Sequence, residues 1–199
     1  MPDLDRRERL IDTAIRLFSE SGFHATGIDH ILAESGVAKK TLYRYFRSKD
    51  ELILAALKKF DGLFRNRFMA RVEAKAESSH DRLLAVFDVA GAWFEENNFL
   101  GCIFINAVGE YSRNDTPIRA VSSEFKIMMY RYIRGLCADA GARDADALAE
   151  QLALLLEGAI VTAQVSQRSR AAQVAKTIAE SLIADALPPG DGRTALEPA

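Results

Sequence analysis

Apolar residues recur at helical spacing near the start of the chain. Between residues 6 and 20, one helical face consists of Leu10, Ala14, Leu17 and Phe18. Such a face must pack against other elements. Gly22 follows as the expected C-terminal cap, because helices often end in a left-handed residue and glycine adopts that conformation at little cost. The pattern therefore predicts a first amphipathic helix that ends just before Gly22.

Two shorter helices around a tight turn follow the first helix. Thr26 suits the N-cap of the second helix, whose apolar side consists of Ile28, Ile31 and Leu32. Gly36 and Val37 form the turn, in which glycine supplies a permissive backbone and valine a buried side chain. The third helix, from about Ala38 to Tyr45, directs Leu42 inward. This arrangement is typical of a helix-turn-helix.

The rest of the chain also reads as helical, since no alternating strand pattern stands out after Leu52. The predicted helices cover about residues 48–76, 80–96, 100–112, 116–140, 145–167 and 171–187. The breaks between them contain turn-forming residues, namely Ser78-Ser79, Asn97-Asn98, Asp115-Thr116-Pro117 and Gly141-Ala142-Arg143-Asp144. Residues 188–199 are polar and rich in helix breakers, and we predict a disordered tail there.

Charge is concentrated around the predicted third helix. Residues 36–49 contain no Asp or Glu, and their cations are Lys39, Lys40, Arg44, Arg47 and Lys49. A helix-turn-helix whose second helix is cationic fits the DNA major groove, and here that helix is the predicted third helix of the chain. Residues 1–59 carry 11 Lys and Arg against 9 Asp and Glu, whereas the remaining 140 residues carry 15 against 19. A mildly basic N-terminal part on an acidic body suits a protein that contacts DNA at one end only.

Other features exclude several classes of protein. Cys102 and Cys137 are too few and too far apart for a disulfide framework or a zinc site, so we expect a reducing cytoplasm. The N-terminus lacks the apolar core of a signal peptide, and no stretch approaches the roughly 18 apolar residues of a membrane span. The histidines are scattered, and no nucleophile or phosphate-loop motif is present. We therefore expect no enzyme activity, no metal, no cofactor and no membrane partner.

The segment from residue 22 to 52 resembles the N-terminal domain of the TetR (tetracycline-repressor) family. That pattern runs G-aromatic-x-x-T, then I-A, then G-V-S-x-x-x-x-Y-x-Y-F-x-x-K-x-x-L. The matching residues are Gly22, Phe23, Thr26, Ile31, Gly36, Val37, Tyr43, Tyr45, Phe46, Lys49 and Leu52. The chain departs from the pattern with Ala38 in place of Ser, Lys40 in place of a small residue and Leu32 in place of Ala.

The resemblance implies an all-α, dimeric fold of about nine helices. An N-terminal three-helix DNA-binding domain with a helix-turn-helix would cover residues 1–50. A helical ligand-binding and dimerisation domain would follow at residues 51–187.

The resemblance also assigns roles in DNA binding. Thr26, Tyr43, Tyr45 and Lys49 would hold phosphates, which sets the register without reading sequence. Lys49 additionally lies at the start of the next helix, where free N–H groups favour an anion. The candidates for base contacts are Lys39, Lys40, Thr41 and Arg44. For Tyr43 and Tyr45 the alternative is a place in the small core beneath the helix, where we also expect Phe46.

The last two predicted helices are unusually apolar, and in the family they form a four-helix dimer interface with their copies. A dimer also suits a helix-turn-helix, because two copies read half-sites about 34–36 Å apart. The residues predicted for this interface are Leu152, Leu155, Leu156, Ala159, Ile160, Ala163, Val174, Ile178 and Leu182. The alternative is that these residues form the core within a single chain. One face of each helix must in any case pack into that core.

Large aromatic and sulfur-containing side chains cluster in the middle helices, a region that encloses a ligand pocket in the family. A mostly apolar cavity with few polar groups is typical of small-molecule sites. The predicted ligand-binding residues are Phe64, Phe68, Trp93, Phe104, Asn106, Glu110, Met128 and Tyr132. The alternative is plain core. Because carboxylates and bases do not converge there, we expect an apolar or aromatic effector.

The leading hypothesis is a transcriptional regulator, in the usual case a repressor, that binds a palindromic operator as a dimer. A small molecule in the body would shift the helix that starts near Ser48 and release the protein from DNA. The alternative is a DNA-binding dimer without an effector, whose body is a scaffold or a protein-docking surface. Packed cores and closed pockets look alike in sequence, so both hypotheses remain open.

Overall fold

A computed structural model describes residues 2–97, 99–111, 116–166 and 170–188, and these residues form nine α-helices and no β-strand. The helices are α1 (Pro2–Ser21), α2 (Ile28–Ser35), α3 (Lys39–Tyr45), α4 (Lys49–Lys75), α5 (Ser79–Phe94), α6 (Ile103–Glu110), α7 (Pro117–Asp139), α8 (Ala145–Ser166) and α9 (Ala171–Ala186). The predicted all-α fold with an N-terminal helix-turn-helix is confirmed. Most of the tail that we predicted to be disordered, residues 189–199, lies outside the described residues.

Four of the body helices begin beside a side chain that accepts a hydrogen bond from a backbone N–H three residues ahead. Such a cap satisfies one of the free N–H groups of a helix start. The accepting side chains and the residues whose N–H they bind are Ser48 and Glu51 at 3.2 Å, Ser78 and Asp81 at 3.1 Å, Thr116 and Arg119 at 3.2 Å, and Asp144 and Ala147 at 2.9 Å. Turn-forming residues therefore predicted these boundaries well, because the same residues act as caps.

The α6 helix is shorter than the predicted 100–112. Gly101 has a φ of +81°, which is incompatible with a right-handed helix, so α6 begins at Ile103. At the other end Tyr111 has left the helical conformation with a φ of −109° and a ψ of 72°. The difference places Glu110 at the C-terminal end of α6.

The chain divides into two compact units. The first contains Met1–Phe68 and Leu100–Met128, and the second contains Met69–Phe99 and Met129–Ala199. The α6 helix therefore belongs to the same unit as α1, α2 and α3. This division differs from the predicted boundary after residue 50, and the two domains at 1–50 and 51–187 stay a prediction.

Each unit has its own core. In the first unit, where α1, α2 and α3 pack on one another, the buried residues include Leu10, Phe18, Phe23, Ile31 and Leu42. In the second unit, α9 lies against α5 and α8, with Ala172, Ala175 and Ala179 buried. A Cβ at Gly91 of α5 would lie 3.3 Å from the Ala172 Cβ, so α5 and α9 approach closely. Lys176 of α9 also binds Asp88 of α5 at 2.8 Å.

The α8 helix corrects one expectation. It is long and apolar enough to cross a membrane by length and composition, with a mean hydropathy of 1.3 over 18 residues. We had expected no stretch to approach that limit. Of this window, 39% is buried inside the structure, because α8 packs against α5 and α9. Its apolar character therefore has a use in packing, and one such helix is weak evidence for a membrane span.

Candidate DNA-binding site and effector region

Two left-handed glycines shape the helix-turn-helix. Gly22 has a φ of +82° and its N–H donates to the carbonyl of Phe18 at 3.0 Å, which ends α1. Gly36 has a φ of +64° and its N–H donates to the carbonyl of Leu32 at 3.0 Å, which ends α2. Val37 and Leu42 are buried. The predicted C-cap at Gly22 and the predicted turn of Gly36 and buried Val37 are confirmed; that Gly36 also caps α2 is a finding of the structure.

Thr26 has a different role from the predicted one. The α2 helix begins at Ile28, its N-cap residue is Gly27, and no side chain caps this end. The Thr26 hydroxyl instead lies 2.7 Å from the carbonyl oxygen of Gly22 and 3.1 Å from that of Leu17, so it fastens the turn to α1. The predicted N-cap is wrong. Because Thr26 is fully buried, its hydroxyl is also not available to a phosphate in this conformation.

The outward side of α3 carries the predicted DNA-contacting residues. Lys39, Lys40 and Arg44 are exposed, and Thr41 and Tyr45 are partly exposed. Tyr43 is 48% exposed, which excludes the core alternative for this tyrosine, whereas Phe46 is buried as expected. Ala38 occupies the N-cap position of α3 without a side-chain hydrogen bond. The remaining DNA contacts stay predictions.

Neighbouring groups constrain some of these cations. The Lys39 ammonium lies 3.1 Å from a carboxylate oxygen of Asp29, and this hydrogen bond raises the pKa of Lys39. The Arg44 guanidinium donates to the Tyr45 hydroxyl at 2.9 Å and lies 5.0 Å from the centre of that ring. Lys40 is exposed and has no ion pair among the described residues. The Lys49 ammonium donates to the carbonyl of His24 at 3.4 Å.

Glu110 lies in the same unit and contacts the turn between α1 and α2. Its Oε1 accepts the Phe23 N–H at 2.7 Å, its Oε2 accepts the His24 N–H at 2.6 Å, and His24 Nδ1 lies 2.8 Å from Oε2. Burial opposes the charged form, but these hydrogen bonds outweigh burial and lower the pKa of Glu110. The predicted ligand-binding role of Glu110 is therefore corrected, since its carboxylate is already occupied by the turn.

The other predicted ligand-binding residues fall into both units. In the first unit, the Phe64 and Phe68 rings stack at 5.8 Å and the Phe104 ring stacks on Phe125 at 4.0 Å. Phe68 and Phe104 are buried, which fits the core alternative for these two. Asn106 and Met128 are partly exposed. In the second unit, the Trp93 ring meets Phe99 edge-on at 5.0 Å.

Tyr132, also in the second unit, has an unusual hydroxyl group. It is the one buried side-chain N or O atom without a hydrogen-bond partner in the part of the chain that the structure describes. Burial and the nearby negative charge of Glu73 raise the pKa of Tyr132 to about 12. Buried hydroxyl groups are normally paired, and one without a partner needs an explanation.

The predicted dimer-interface residues separate into two sets. Leu152, Leu156, Ile160 and Ala163 are buried within the chain, which fits the core alternative for these four. Val174 and Ile178 are exposed, and Leu155 and Ala159 line the same groove of about 910 Å³ between α8 and α9. Leu182 is partly exposed.

Sequence reasoning missed part of the exposed apolar face of α8. We call this set the outer stripe: Leu154, Gly158, Val161 and Val165. Three of these residues are exposed large hydrophobics. Their spacing of four, three and four residues is a heptad pattern, which was visible in the sequence. The buried residues Leu152, Leu156, Ala159 and Ala163 repeat with the same spacing two positions earlier.

Helical architecture, a helix-turn-helix and an exposed cationic α3 define a class of DNA-binding regulators. Residues 10–56 match the model of the bacterial regulatory proteins of the tetR family. Residues 79–179, just over half of the chain, match the tetracyclin repressor-like C-terminal domain. The chain belongs to the TetR family of bacterial transcriptional regulators, as its N-terminal motif predicted.

Solved structures share this fold over most of its length. A TetR-family regulator from Streptomyces coelicolor is 30% identical with a TM-score of 0.85, covering 92% of this chain and 96% of that one. A TetR regulator from Chloroflexus aurantiacus is 28% identical with a TM-score of 0.80 over 92% and 96%. Among curated relatives, an uncharacterised helix-turn-helix regulator from Bacillus subtilis is 41% identical over 63 residues, which are 32% of this chain. The chain spans 22% to 40% of the first curated relatives it matches.

Proposed function

We propose that the protein is a cytoplasmic repressor that binds a palindromic operator as a homodimer and is released by a small apolar or aromatic molecule. The observation that carries the DNA-binding part is the surface of α3. Leu42 faces the core, while Lys39, Lys40, Tyr43 and Arg44 are exposed together. A short cationic helix with its base-reading side chains outward is what the major groove accommodates.

Substitutions of three lysines test the DNA-binding roles on duplexes that the purified protein selects from a random-sequence pool. Lys49→Ala should weaken binding to all duplexes alike and lower the slope of log affinity against log salt by about one, since one phosphate contact is lost. Lys40→Ala should change the ranking of duplexes with single base changes, by about 1–3 kcal/mol if Lys40 reads a base. Lys58→Ala, at an exposed lysine of α4, is the charge-matched control.

These variants can also contradict the assignments. Equal and uniform losses for Lys40→Ala and Lys49→Ala would show that Lys40 contacts the backbone and reads no base. Failure of the wild-type protein to select any duplex at low salt would overturn the DNA-binding proposal.

The effector part of the proposal is supported by the aromatic side chains and by the Tyr132 hydroxyl, whose missing partner a ligand could supply. A thermal-shift screen against apolar and aromatic compounds tests it, because a ligand of the native state raises Tm in proportion to ln(1 + [L]/Kd). A compound that raises Tm should also release the selected duplex. Tyr132→Phe should reduce the shift for a ligand that hydrogen-bonds to this hydroxyl.

A second candidate function is a DNA-binding dimer whose body has no effector. The tight stacking of Phe104 on Phe125 at 4.0 Å and the burial of Phe104 favour a filled core at this position. Absence of any Tm shift across a broad panel, together with normal operator binding, would support this candidate over the sensor.

A further inference from the structure

The carboxylate of Glu110 binds a part of the chain that lies far away in sequence. It accepts two successive backbone N–H groups, those of Phe23 and His24, and these residues are 87 and 86 positions away. Gly22 allows the close approach, because a Cβ at this position would lie 2.8 Å from Glu110 Oε1. We call this arrangement of Glu110 with the two N–H groups the Glu110 latch.

The Glu110 latch connects α6 to Lys49, a proposed phosphate contact. Glu110 holds the N–H of His24, and the Lys49 ammonium donates to the carbonyl of the same residue at 3.4 Å. The peptide group before the His24 Cα is thus held by Glu110 of α6, and the peptide group after it is held by Lys49 at the start of α4. An ammonium has three N–H donors, so a bond to His24 still leaves donors for a phosphate and restricts their direction.

Tyr111, the residue after Glu110, strengthens the same connection. Its ring stacks on the His24 ring at 4.8 Å with an interplanar angle of 22°. Its hydroxyl donates to Asp50 at 3.5 Å, one residue from Lys49. Two neighbouring residues at the end of α6 therefore contact both the α1–α2 turn and the start of α4.

The same helix carries side chains of the proposed effector region. Phe104 and Asn106 lie on α6, and Asn106 is one helical turn before Glu110, so both project from the same side of the helix. Phe104 packs between Phe60 and Phe125, with ring centres at 5.9 and 4.0 Å. The proposed effector region and the Glu110 latch therefore share one helix of eight residues.

We propose that Glu110 is a positioning residue that holds the α1–α2 turn and, through His24, orients Lys49 for an operator phosphate. The inference rests on the proposed function, since it requires Lys49 to contact DNA.

Glu110→Gln tests the proposal, because glutamine keeps the side-chain shape but offers only one acceptor oxygen to the two N–H groups. With duplexes selected by the full-length protein, we expect about tenfold weaker binding. We also expect the salt slope to fall by about one, as for Lys49→Ala. The double variant Glu110→Gln with Lys49→Ala should bind no more weakly than Lys49→Ala alone, since both changes remove the same contact.

Two matched variants separate positioning from general stability. Glu96→Gln is the control for loss of a partly buried acid, because the side chain of Glu96 is 27% exposed, against 28% for Glu110. Glu96 also has a basic partner, since Arg71 lies 2.8 Å from its carboxylate. This variant should leave affinity and salt slope unchanged. His24→Ala removes the ring contacts of His24 with Glu110 and Tyr111 but keeps both backbone N–H donors, so its loss of affinity should be smaller than that of Glu110→Gln.

The outcomes distinguish this inference from the proposed function. A purely structural role for Glu110 would lower Tm but leave the affinity and salt slope of the folded protein unchanged, and that result would overturn the inference. Losses that add fully in the double variant would also overturn it. Failure of wild type to bind DNA, or a normal salt slope in Lys49→Ala, would instead overturn the proposed role of Lys49 itself and with it the inference.

Discussion

At the scale of single residues, Glu110 links stability to pH. Its folded-state pKa is lowered from 4.5 by hydrogen bonds that outweigh burial. A carboxyl group with a lowered pKa stabilises the fold above its unfolded-state pKa, and the contribution is lost as pH falls through its folded-state pKa. Glu110→Gln should therefore lower the free energy of unfolding by about 1.5–3 kcal/mol at neutral pH, and this difference should shrink below pH 4.5.

Urea unfolding of both proteins across this pH range measures the effect. A difference that stays constant into acid would show that the new amide, and not the missing charge, causes the loss.

Gly22 allows a second prediction at the same scale, with a control inside the chain. Gly22 and Gly141 have nearly the same left-handed φ, +82° and +80°, but only a Cβ at Gly22 meets another atom, Glu110 Oε1 at 2.8 Å. Alanine at either position should cost about 1–2 kcal/mol for the left-handed backbone. Gly22→Ala should cost more than Gly141→Ala in urea unfolding, because it also pushes Glu110 off the turn.

The excess cost should disappear when Gly22→Ala is combined with Glu110→Ala, which removes the clashing oxygen. If Gly22→Ala and Gly141→Ala cost the same in the wild-type background, the close approach of Glu110 to the turn would be unsupported.

At the scale of helices, the sequence predicted the helix boundaries that local capping residues determine. The starts of α4, α5, α7 and α8 agree within a few residues because Ser48, Ser78, Thr116 and Asp144 cap them. Thr26 misled us for a related reason. A threonine just before an apolar run looks the same whether its hydroxyl caps the next helix or binds the previous one, and only the packed turn decides between these.

Contacts between distant parts of the chain were beyond the sequence. Glu110 appeared to be a polar residue in an apolar helix, which suggested a ligand contact. Its actual partners are backbone N–H groups, which have no side-chain signature at positions 23 and 24. The inward face of α8 could not be predicted for a similar reason. The helix carries two apolar stripes with the same spacing, and only its packing against α5 and α9 shows which stripe is buried.

At the scale of the whole molecule, the outer stripe and the groove of α8 and α9 leave a large apolar surface in water. Leu154, Val165 and Val174 are 74%, 77% and 55% exposed. Contiguous apolar surface of this kind marks an interaction site in soluble proteins. Gly158 is exposed in the outer stripe and would let a second helix approach closely. A second copy that presents the same face would cover this surface with twofold symmetry, as the proposed dimer requires.

Leu154→Glu tests the dimer, because it places a carboxylate at the centre of the proposed interface. Burying this charge without a partner costs several kcal/mol, so the dissociation constant of the dimer should rise by about a hundredfold or more. Leu63→Glu is the control, since Leu63 is similarly exposed at 61% on α4. Analytical ultracentrifugation should find dimers for wild type and the control, and monomers of unchanged helicity for Leu154→Glu. A dimeric Leu154→Glu variant would place the interface elsewhere.

The same variant connects assembly to DNA binding. Two tethered helix-turn-helix units gain affinity because the second contact becomes intramolecular once the first is made. Leu154→Glu should therefore lose far more affinity for a palindromic duplex than for a duplex with one half-site, on which both proteins place a single α3. Equal losses of affinity on both duplexes would contradict this prediction. They would show that the substitution damages the DNA-binding unit itself and that the affinity for the palindrome gains nothing from the dimer.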